Sequence, residues 1–119
     1  MNWKSLSDTK QIDQLIEDSF SRPVAILKHS TRCSISHIAK NRLERETVPD
    51  GMDFYYLDLL SFRSVSNHIA ERFAVHHASP QVLLIKNGTC IYDESHGSIT
   101  MHDLLAEAMI WGTSYTPSS

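Results

Sequence analysis

Residues 24–36 read VAILKHSTRCSIS, an apolar run followed by a polar corner and a cysteine that opens a new periodic stretch. Val24–Leu27 is short, continuous and preceded by Pro23, which is typical of a strand buried on both faces. Cys33 then falls where a helix should begin. A thiol at a helix N-terminus faces unpaired backbone N–H groups and the positive end of the helix dipole, and both favour the thiolate. The segment therefore predicts a strand, a corner and a helix with a reactive cysteine at its start.

A second interpretation of Cys33 is a packing residue, because free cysteines are among the most buried residue types. The polar neighbours Thr31, Arg32 and Ser34 favour a solvent-facing corner instead. In α/β folds, the ligand-facing loops lie at the carboxyl ends of the parallel strands. We therefore interpret Cys33 as a functional thiol at the edge of a sheet.

Helices are predicted on both sides of this strand. Asp8 and Gln11 have the spacing of a capping box, which begins a helix that Pro23 ends. A second helix follows Cys33 and ends before a turn at residues 48–51. The residues predicted to face the core are Ile12, Leu15, Ile16 and Phe20 in the first helix and Ile35, Ile38, Ala39 and Leu43 in the second, with Lys40, Arg42, Glu44 and Arg45 facing out.

The rest of the chain predicts a hairpin and two more helices. Asn87-Gly88 is the strongest short-range hairpin signal, because a type I′ turn requires positive φ at both central residues. Thr100 and Asp103 have the spacing of an N-cap and its first turn. The predicted elements are a strand at 54–59, a helix at 62–74, a strand at 82–85, an antiparallel strand at 89–92 and a last helix carrying Leu104, Leu105, Ala108 and Met109.

The resulting order, α-β-α-β-α-β-β-α, predicts a mixed sheet with helices on both faces. The sheet has four strands, or five if a short strand forms near Trp3. A chain of 119 residues that is 41% hydrophobic suits a single core. We expect one domain over residues 1–111 and a flexible tail over residues 112–119, which are rich in Ser and Thr.

Composition excludes several classes of function. A net charge of −3 argues against a nucleic-acid partner, and no apolar run approaches the roughly 18 residues of a membrane span. The first residues lack the apolar core of a signal peptide, so the cytoplasm is the expected compartment. Two distant cysteines form no disulfide framework. Seven histidines without a Cys-x-x-Cys or His-x-x-x-His frame predict no metal site.

The arrangement resembles the thioredoxin fold. Three features carry the resemblance: Cys33 at the helix start, Ser79-Pro80 before the next strand, and Lys86-Asn87-Gly88 after that strand. More narrowly, residues 31–36, TRCSIS, are similar to the Thr-Cys-Pro-Ile-Ser type motif of the monothiol bacilliredoxins, small thioredoxin-like proteins of the bacillithiol system. Two departures are an Arg inserted at position 32 and a Ser at position 34, where the motif has proline. The expected architecture is a thioredoxin-like three-layer α/β/α sandwich.

The resemblance implies that Pro80 is cis and lies against the reactive cysteine. It also places Leu27 where thioredoxins hold a buried Asp that serves the second cysteine. Ser36 occupies the fourth position of Cys-x-x-Cys, so a monothiol mechanism remains, with Ser36 as a candidate donor to the sulfur. The predicted site comprises Cys33 as the catalytic residue, with Thr31, Arg32, Ser34, Ser36, Ser79 and Pro80 around it and His29 and His37 as further candidates.

The leading hypothesis is a thiol–disulfide oxidoreductase that removes bacillithiol or a similar small thiol from cytosolic proteins. It requires that low-molecular-weight thiol as co-substrate and no tightly bound cofactor. The alternative is a non-catalytic binding or adaptor module that uses the groove between Cys33 and Pro80. Phosphatase chemistry needs Cys-x5-Arg, but Ala39 stands at the Arg position. Ser30 matches the Thr or Ser that precedes a peroxiredoxin cysteine by three residues, but the preceding proline and the usual chain length of that class are missing. Cys90 is interpreted as a packing residue at the other end of the sheet.

Overall fold

The computed structural model of the protein describes residues 3–46 and 51–110. These residues form the predicted mixed α/β sandwich, with five strands because a short strand does form at Trp3. The elements, in chain order, are β1 (Trp3–Ser5), α1 (Thr9–Asp18), β2 (Val24–His29), α2 (Ser34–Glu44), β3 (Asp53–Asp58), α3 (Arg63–Phe73), β4 (Gln81–Lys86), β5 (Thr89–Ser95) and α4 (Met101–Ile110), with a 3₁₀ turn at His96–Ser98.

The strand order is β1-β3-β2-β4-β5. The three strands β1, β3 and β2 run parallel, whereas β4 pairs antiparallel with both β2 and β5. The strand β2 is therefore central, and every residue from Val24 to His29 is buried. Its carboxyl end leads directly into the corner that carries Cys33.

Two apolar cores lie on opposite faces of the sheet, because successive residues of a strand point to opposite sides. Val24 and Ile26 belong to the core beneath α1 and α3. Ala25 and Leu27 belong to the core beneath α2 and α4. Each fully buried Leu or Ile contributes roughly 1.5–3 kcal/mol of transfer free energy. The two cores therefore fix β2 between the helices, and with it the position of the corner that follows its carboxyl end.

The start of α1 is as predicted, but its end is not. Asp8 and Gln11 form a complete capping box. The helix ends at Asp18, and Phe20 is 59% exposed rather than part of the core stripe. Ser19 is the cause: its hydroxyl donates to the Ile16 carbonyl (2.6 Å) and accepts from Gly88 N–H (2.8 Å). These bonds tie the helix end to the hairpin and turn the next residue outward.

The buried face of α2 also differs from the prediction. Ile35 and Ile38 are 50% and 56% exposed, and the buried residues are Ser36, Ala39 and Leu43. The helix is rotated so that Ser36 points inward, where tertiary hydrogen bonds satisfy its hydroxyl.

The predicted outer side of α2 needs a second correction. Arg42 and Arg45 are exposed, but Lys40 and Glu44 are half-buried. Lys40 Nζ lies over the rings of Trp3 (5.8 Å) and Tyr56 (5.3 Å) and donates to Glu44 (2.7 Å). The aromatic side chains of β1 and β3 therefore draw this side of the helix towards the sheet.

The hairpin and the later helices follow their local signals. Asn87 (φ 52°) and Gly88 (φ 75°) both have positive φ, as a type I′ turn requires. Thr100 Oγ1 accepts the Asp103 N–H (3.1 Å) at the start of α4. The helix α3 ends at Ala74, which takes the left-handed conformation.

Three predictions fall outside the described residues: most of the turn at 48–51, the side chain of Met109 and the tail at 112–119. Among the helices that are described, none has the length and apolar character needed to cross a bilayer.

Candidate active site

Cys33 is the N-cap residue of α2, with extended backbone (φ −105°, ψ 120°). Its N–H donates to the Ser30 carbonyl (3.1 Å), and its own carbonyl accepts the His37 N–H (3.2 Å). The Cys33 side chain makes no capping hydrogen bond and is half-buried. The turn from Ser30 thus fixes Cys33 at the N-terminus of α2, and its sulfur is not engaged in a capping hydrogen bond.

The Ser79-Pro80 segment lies next to this corner. Lys28 pairs with Gln81 across β2 and β4, so continuing the same register brings His29 beside Pro80. The Ser79–Pro80 peptide bond is cis, and the Pro80 carbonyl accepts the His96 N–H (3.0 Å). Within the described residues, the Ser79 hydroxyl is buried and has no partner. The structure thus brings Ser79-Pro80 to the end of the sheet from which Cys33 emerges.

Ser36 is fully buried beneath the corner, and its hydroxyl is already engaged. It accepts the Ser30 N–H (3.0 Å) and lies 2.7 Å from His29 Nδ1. Because the oxygen accepts from Ser30, the hydroxyl proton can be donated to Nδ1 of a neutral His29. Ser36, the expected hydroxyl donor to Cys33, bonds instead to Ser30 and His29. These bonds form a brace that connects the end of β2, the corner and the first turn of α2.

His29 is 1% exposed and is the centre of this brace. Its ring meets His37 edge-on (4.7 Å between centroids) and packs obliquely on Tyr56 (5.4 Å). Burial, aided by the charges of His37 and Lys40, lowers the pKa of His29, while Asp58 opposes the shift. His29 therefore remains neutral at neutral pH, as its bond to Ser36 requires.

The outer rim of the corner is polar. Thr31, Arg32 and Ser34 are all exposed, which agrees with the solvent-facing corner predicted for them. His37 is exposed as well, and its Nε2–H donates to the Thr31 carbonyl (2.9 Å), so this imidazole supports the corner from outside. In residues 3–46 and 51–110, no group of three His, Cys, Asp or Glu residues is placed to hold a metal ion.

Residues 4–104 match the family model described as monothiol bacilliredoxin BrxC. The chain belongs to the monothiol bacilliredoxin family. A solved structure assigned as an oxidoreductase with a thioredoxin fold is 36% identical to this bacilliredoxin, with a TM-score of 0.75 over 87% of this chain and 90% of that one. The predicted family is thus confirmed.

Two thioredoxins show the fold at lower identity. The Malassezia sympodialis thioredoxin Mala s 13 is 19% identical, with a TM-score of 0.70 over 88% of this chain and 86% of that one. The thioredoxin of Fasciola hepatica is 16% identical, with a TM-score of 0.69 over 87% and 98% of the two chains. The predicted thioredoxin-like fold is therefore confirmed, and the family gives this bacilliredoxin a thiol oxidoreductase-like role.

The second cysteine of this bacilliredoxin lies far from the corner. Cys90 pairs with Ile85 on β4, which in turn pairs with Val24, so Cys90 lies level with the amino end of β2, with β4 between them. Burial raises the pKa of the Cys90 thiol to about 11, and its Sγ donates to the Tyr92 carbonyl (3.3 Å). Cys90 is therefore protonated at neutral pH and cannot act as a resolving nucleophile for Cys33.

The sequence pattern indicated no role near the site for Tyr56 or Lys28. Tyr56 was assigned to a strand, but not to the wall of the His29 pocket. The fully buried Lys28 and its partner His77 form a polar cluster behind the Ser79-Pro80 segment. A lysine inside an otherwise apolar strand pattern was a signal for such a cluster, whereas Tyr56 could be placed only once the strand order was known.

The stability of this bacilliredoxin is expected to fall as the pH drops below about 6.5. The pKa of His29 lies below its ordinary value of 6.5, chiefly through burial. As the pH falls below about 6.5, His29 binds protons more readily in the unfolded chain than in the folded protein. The free energy of unfolding therefore decreases with decreasing pH. Urea denaturation at about pH 7.5 and about pH 5.5 measures the change. A His29→Asn variant, which keeps an acceptor but does not titrate, should show a smaller pH dependence; an unchanged dependence would contradict the assignment.

Proposed function

We propose that this protein is a monothiol thiol–disulfide oxidoreductase that removes bacillithiol from mixed disulfides on protein cysteines. The Cys33 thiolate attacks the bacillithiol sulfur of the mixed disulfide. A new S–S bond joins Cys33 to bacillithiol, the old S–S bond breaks, and the substrate cysteine leaves as a thiolate. Cys33 is oxidised to the mixed disulfide while the substrate cysteine is reduced to its thiolate, so the step needs no other oxidant or reductant.

A second bacillithiol molecule completes the cycle. Its thiolate attacks the sulfur of bacillithiol held on Cys33, which forms bacillithiol disulfide and releases the Cys33 thiolate. The proposed co-substrate is therefore bacillithiol or a similar low-molecular-weight thiol, the partners are S-thiolated proteins, and the compartment is the cytoplasm. The family description supports this assignment of the thiol system.

The observation that carries the proposal is a cysteine at the start of α2 with a buried serine at the fourth position of its motif. Ser36 cannot form a disulfide, and its hydroxyl is held by Ser30 and His29. Cys90 lies at the other end of the sheet. Because the sequence has no cysteine besides Cys33 and Cys90, we propose that a thiol of another molecule resolves a mixed disulfide on Cys33.

The experiment compares two small disulfides. Reduced protein is incubated separately with bacillithiol disulfide and with glutathione disulfide, and the rate of adduct formation on Cys33 is followed by intact mass. Faster reaction with bacillithiol disulfide supports the named thiol, whereas equal rates reduce the proposal to small thiols in general. No adduct with either reagent, although iodoacetamide alkylates Cys33, contradicts the proposed chemistry.

A non-catalytic adaptor remains the alternative function. The half-buried Cys33 and the neighbouring Ser79-Pro80 segment could hold a peptide without exchanging disulfides. The two functions differ in the reactivity of the thiol. A Cys33 that reacts with a disulfide reagent no faster than a free model thiol supports the adaptor.

A further inference from the structure

A polar cluster lies on the face of the sheet opposite α2: Lys28, Ser66 and Gln81 are buried, and His77, in the segment that leads into Ser79-Pro80, is exposed. Lys28 is fully buried there, and its Nζ donates to the Ser66 carbonyl on α3 (3.2 Å). The same Nζ lies 3.3 Å from Nδ1 of His77, three residues before Pro80. One ammonium group thus connects β2, α3 and the segment that leads into Ser79-Pro80.

Stability alone does not explain a lysine at this position. Within residues 3–46 and 51–110, Lys28 forms no ion pair. Burial lowers the pKa of Lys28 to about 8, so the side chain is still mostly charged at neutral pH. A buried ammonium without a carboxylate partner lowers stability relative to an apolar side chain of similar length.

Burial and the surrounding positive charges both favour the neutral form of His77. Burial is the first cause that lowers the pKa of His77, followed by the positive charges of Lys28, Arg63 and His76. The Lys28 ammonium can donate a hydrogen bond to Nδ1 of a neutral His77, and a charge-assisted bond of this kind is stronger than one between neutral groups.

Gln81 provides a second tie to the same segment. It stands opposite Lys28 in the β2–β4 register and is 1% exposed. Its Nε2 donates to the His76 carbonyl (2.9 Å), while its Oε1 is buried without a partner in the described part of the chain. Side chains of two neighbouring strands thus bond to two adjacent residues: Lys28 of β2 to His77, and Gln81 of β4 to His76.

We propose that Lys28 and Gln81 are positioning residues that hold residues 76–80 in the form that binds the substrate disulfide, an inference that rests on the proposed function. A disulfide that approaches Cys33 meets the Ser79-Pro80 segment, because this segment lies beside the end of β2. Loss of either tie lets the segment move and weakens substrate binding. Cys33 itself, which the corner and α2 hold, keeps its intrinsic reactivity.

The test uses Lys28→Met, which keeps an unbranched chain without the charge, and Gln81→Leu. Lys10→Met, at an exposed position on α1, is the matched control. Rate constants are measured for Cys33 with iodoacetamide and with a short peptide whose cysteine carries bacillithiol. Both test variants should react with the peptide about tenfold more slowly, as loss of one such hydrogen bond predicts, and with iodoacetamide at the wild-type rate within about twofold.

The ring of His77 gives an independent readout by NMR. Its pKa should rise in Lys28→Met, because the charge that lowers it has been removed. An unchanged peptide rate in both variants, an equal fall in both rate constants, or an unchanged pKa of His77 overturns the inference. If Lys28→Met does not fold, the two rate constants of Gln81→Leu decide.

Failure of the proposed function is distinguishable from failure of this inference. If wild-type protein does not react with the peptide mixed disulfide, the proposed function fails. Amide hydrogen exchange at residues 75–79 then still tests the positioning role: faster exchange in the variants supports it, and unchanged exchange overturns it.

Discussion

Cys33→Ser is expected to reduce the removal of bacillithiol from a peptide mixed disulfide by roughly a thousandfold or more, to the uncatalysed background. A serine hydroxyl cannot form the mixed disulfide, and the structure places Cys33 alone at the mouth of α2. Release of the free peptide, separated by chromatography, measures the rate.

Cys90→Ser is the matched control for this experiment. Because the half-buried Cys90 thiol has its pKa raised to about 11 and lies on β5, level with the amino end of β2, its loss should leave the rate within about twofold of wild type. Activity that survives Cys33→Ser, or disappears in a folded Cys90→Ser variant, would contradict the assignment of the nucleophile.

Ser36→Cys is expected to change the fate of the adduct on Cys33. The N-cap and the third residue of α2 are the two positions that a Cys-x-x-Cys motif joins, so the new thiol can attack the mixed disulfide. The small thiol should leave, and an intramolecular disulfide should form between positions 33 and 36. Intact mass distinguishes the two products: the wild type retains the small thiol, whereas the variant releases it and has a mass two hydrogens below that of its own reduced form.

Two control variants test whether loss of the adduct requires a thiol at position 36. Ser36→Ala removes the hydroxyl without adding a thiol, so its adduct should persist as in the wild type. Ser34→Cys adds a thiol next to Cys33 in sequence, at an exposed position of the first turn. A disulfide between adjacent cysteines is strained, so the adduct of this variant should persist as well. A persistent adduct in Ser36→Cys would contradict the expectation that a thiol at position 36 reaches the Cys33 sulfur. Loss of the adduct in Ser36→Ala would show that its release does not depend on a new thiol.

The parts of the fold that depend on local chemistry could be predicted from the sequence. The capping box at Asp8 and Gln11 and the type I′ turn at Asn87-Gly88 each depend on neighbouring residues alone. The position of Cys33 at the start of α2 was predictable for the same reason, because a strand, a corner and a helix follow one another within residues 24–36.

The rotation of α2 was not predictable, because it depends on side-chain hydrogen bonds between α2 and the end of β2, which helical periodicity does not encode. By its side chain alone, Ile38 was a better candidate for the core than Ser36. The bonds of Ser36 to His29 and to Ser30 make the buried serine favourable, and the isoleucine remains exposed. Phe20 was misplaced for a similar reason, since the tie between Ser19 and the hairpin ends α1 early.

The site itself was predictable in its nucleophile and not in its supports. His29 and Ser36 were candidates separately, but their hydrogen bond could be found only in three dimensions. The cluster of Lys28, His77 and Gln81 depends on the β2–β4 register and on α3, neither of which the sequence pattern specifies. Such side chains join elements that lie far apart in the chain, so periodicity carries no information about them.

The central claim is that Cys33 carries the small thiol as a mixed disulfide during transfer. Reduced protein is mixed with an equal amount of a bacillithiol-modified peptide, quenched in acid at successive times and measured by intact mass and peptide mapping. One bacillithiol is expected to appear on Cys33 as each peptide thiol is released. Release of the peptide without that adduct, or an adduct on Cys90 instead, would contradict it.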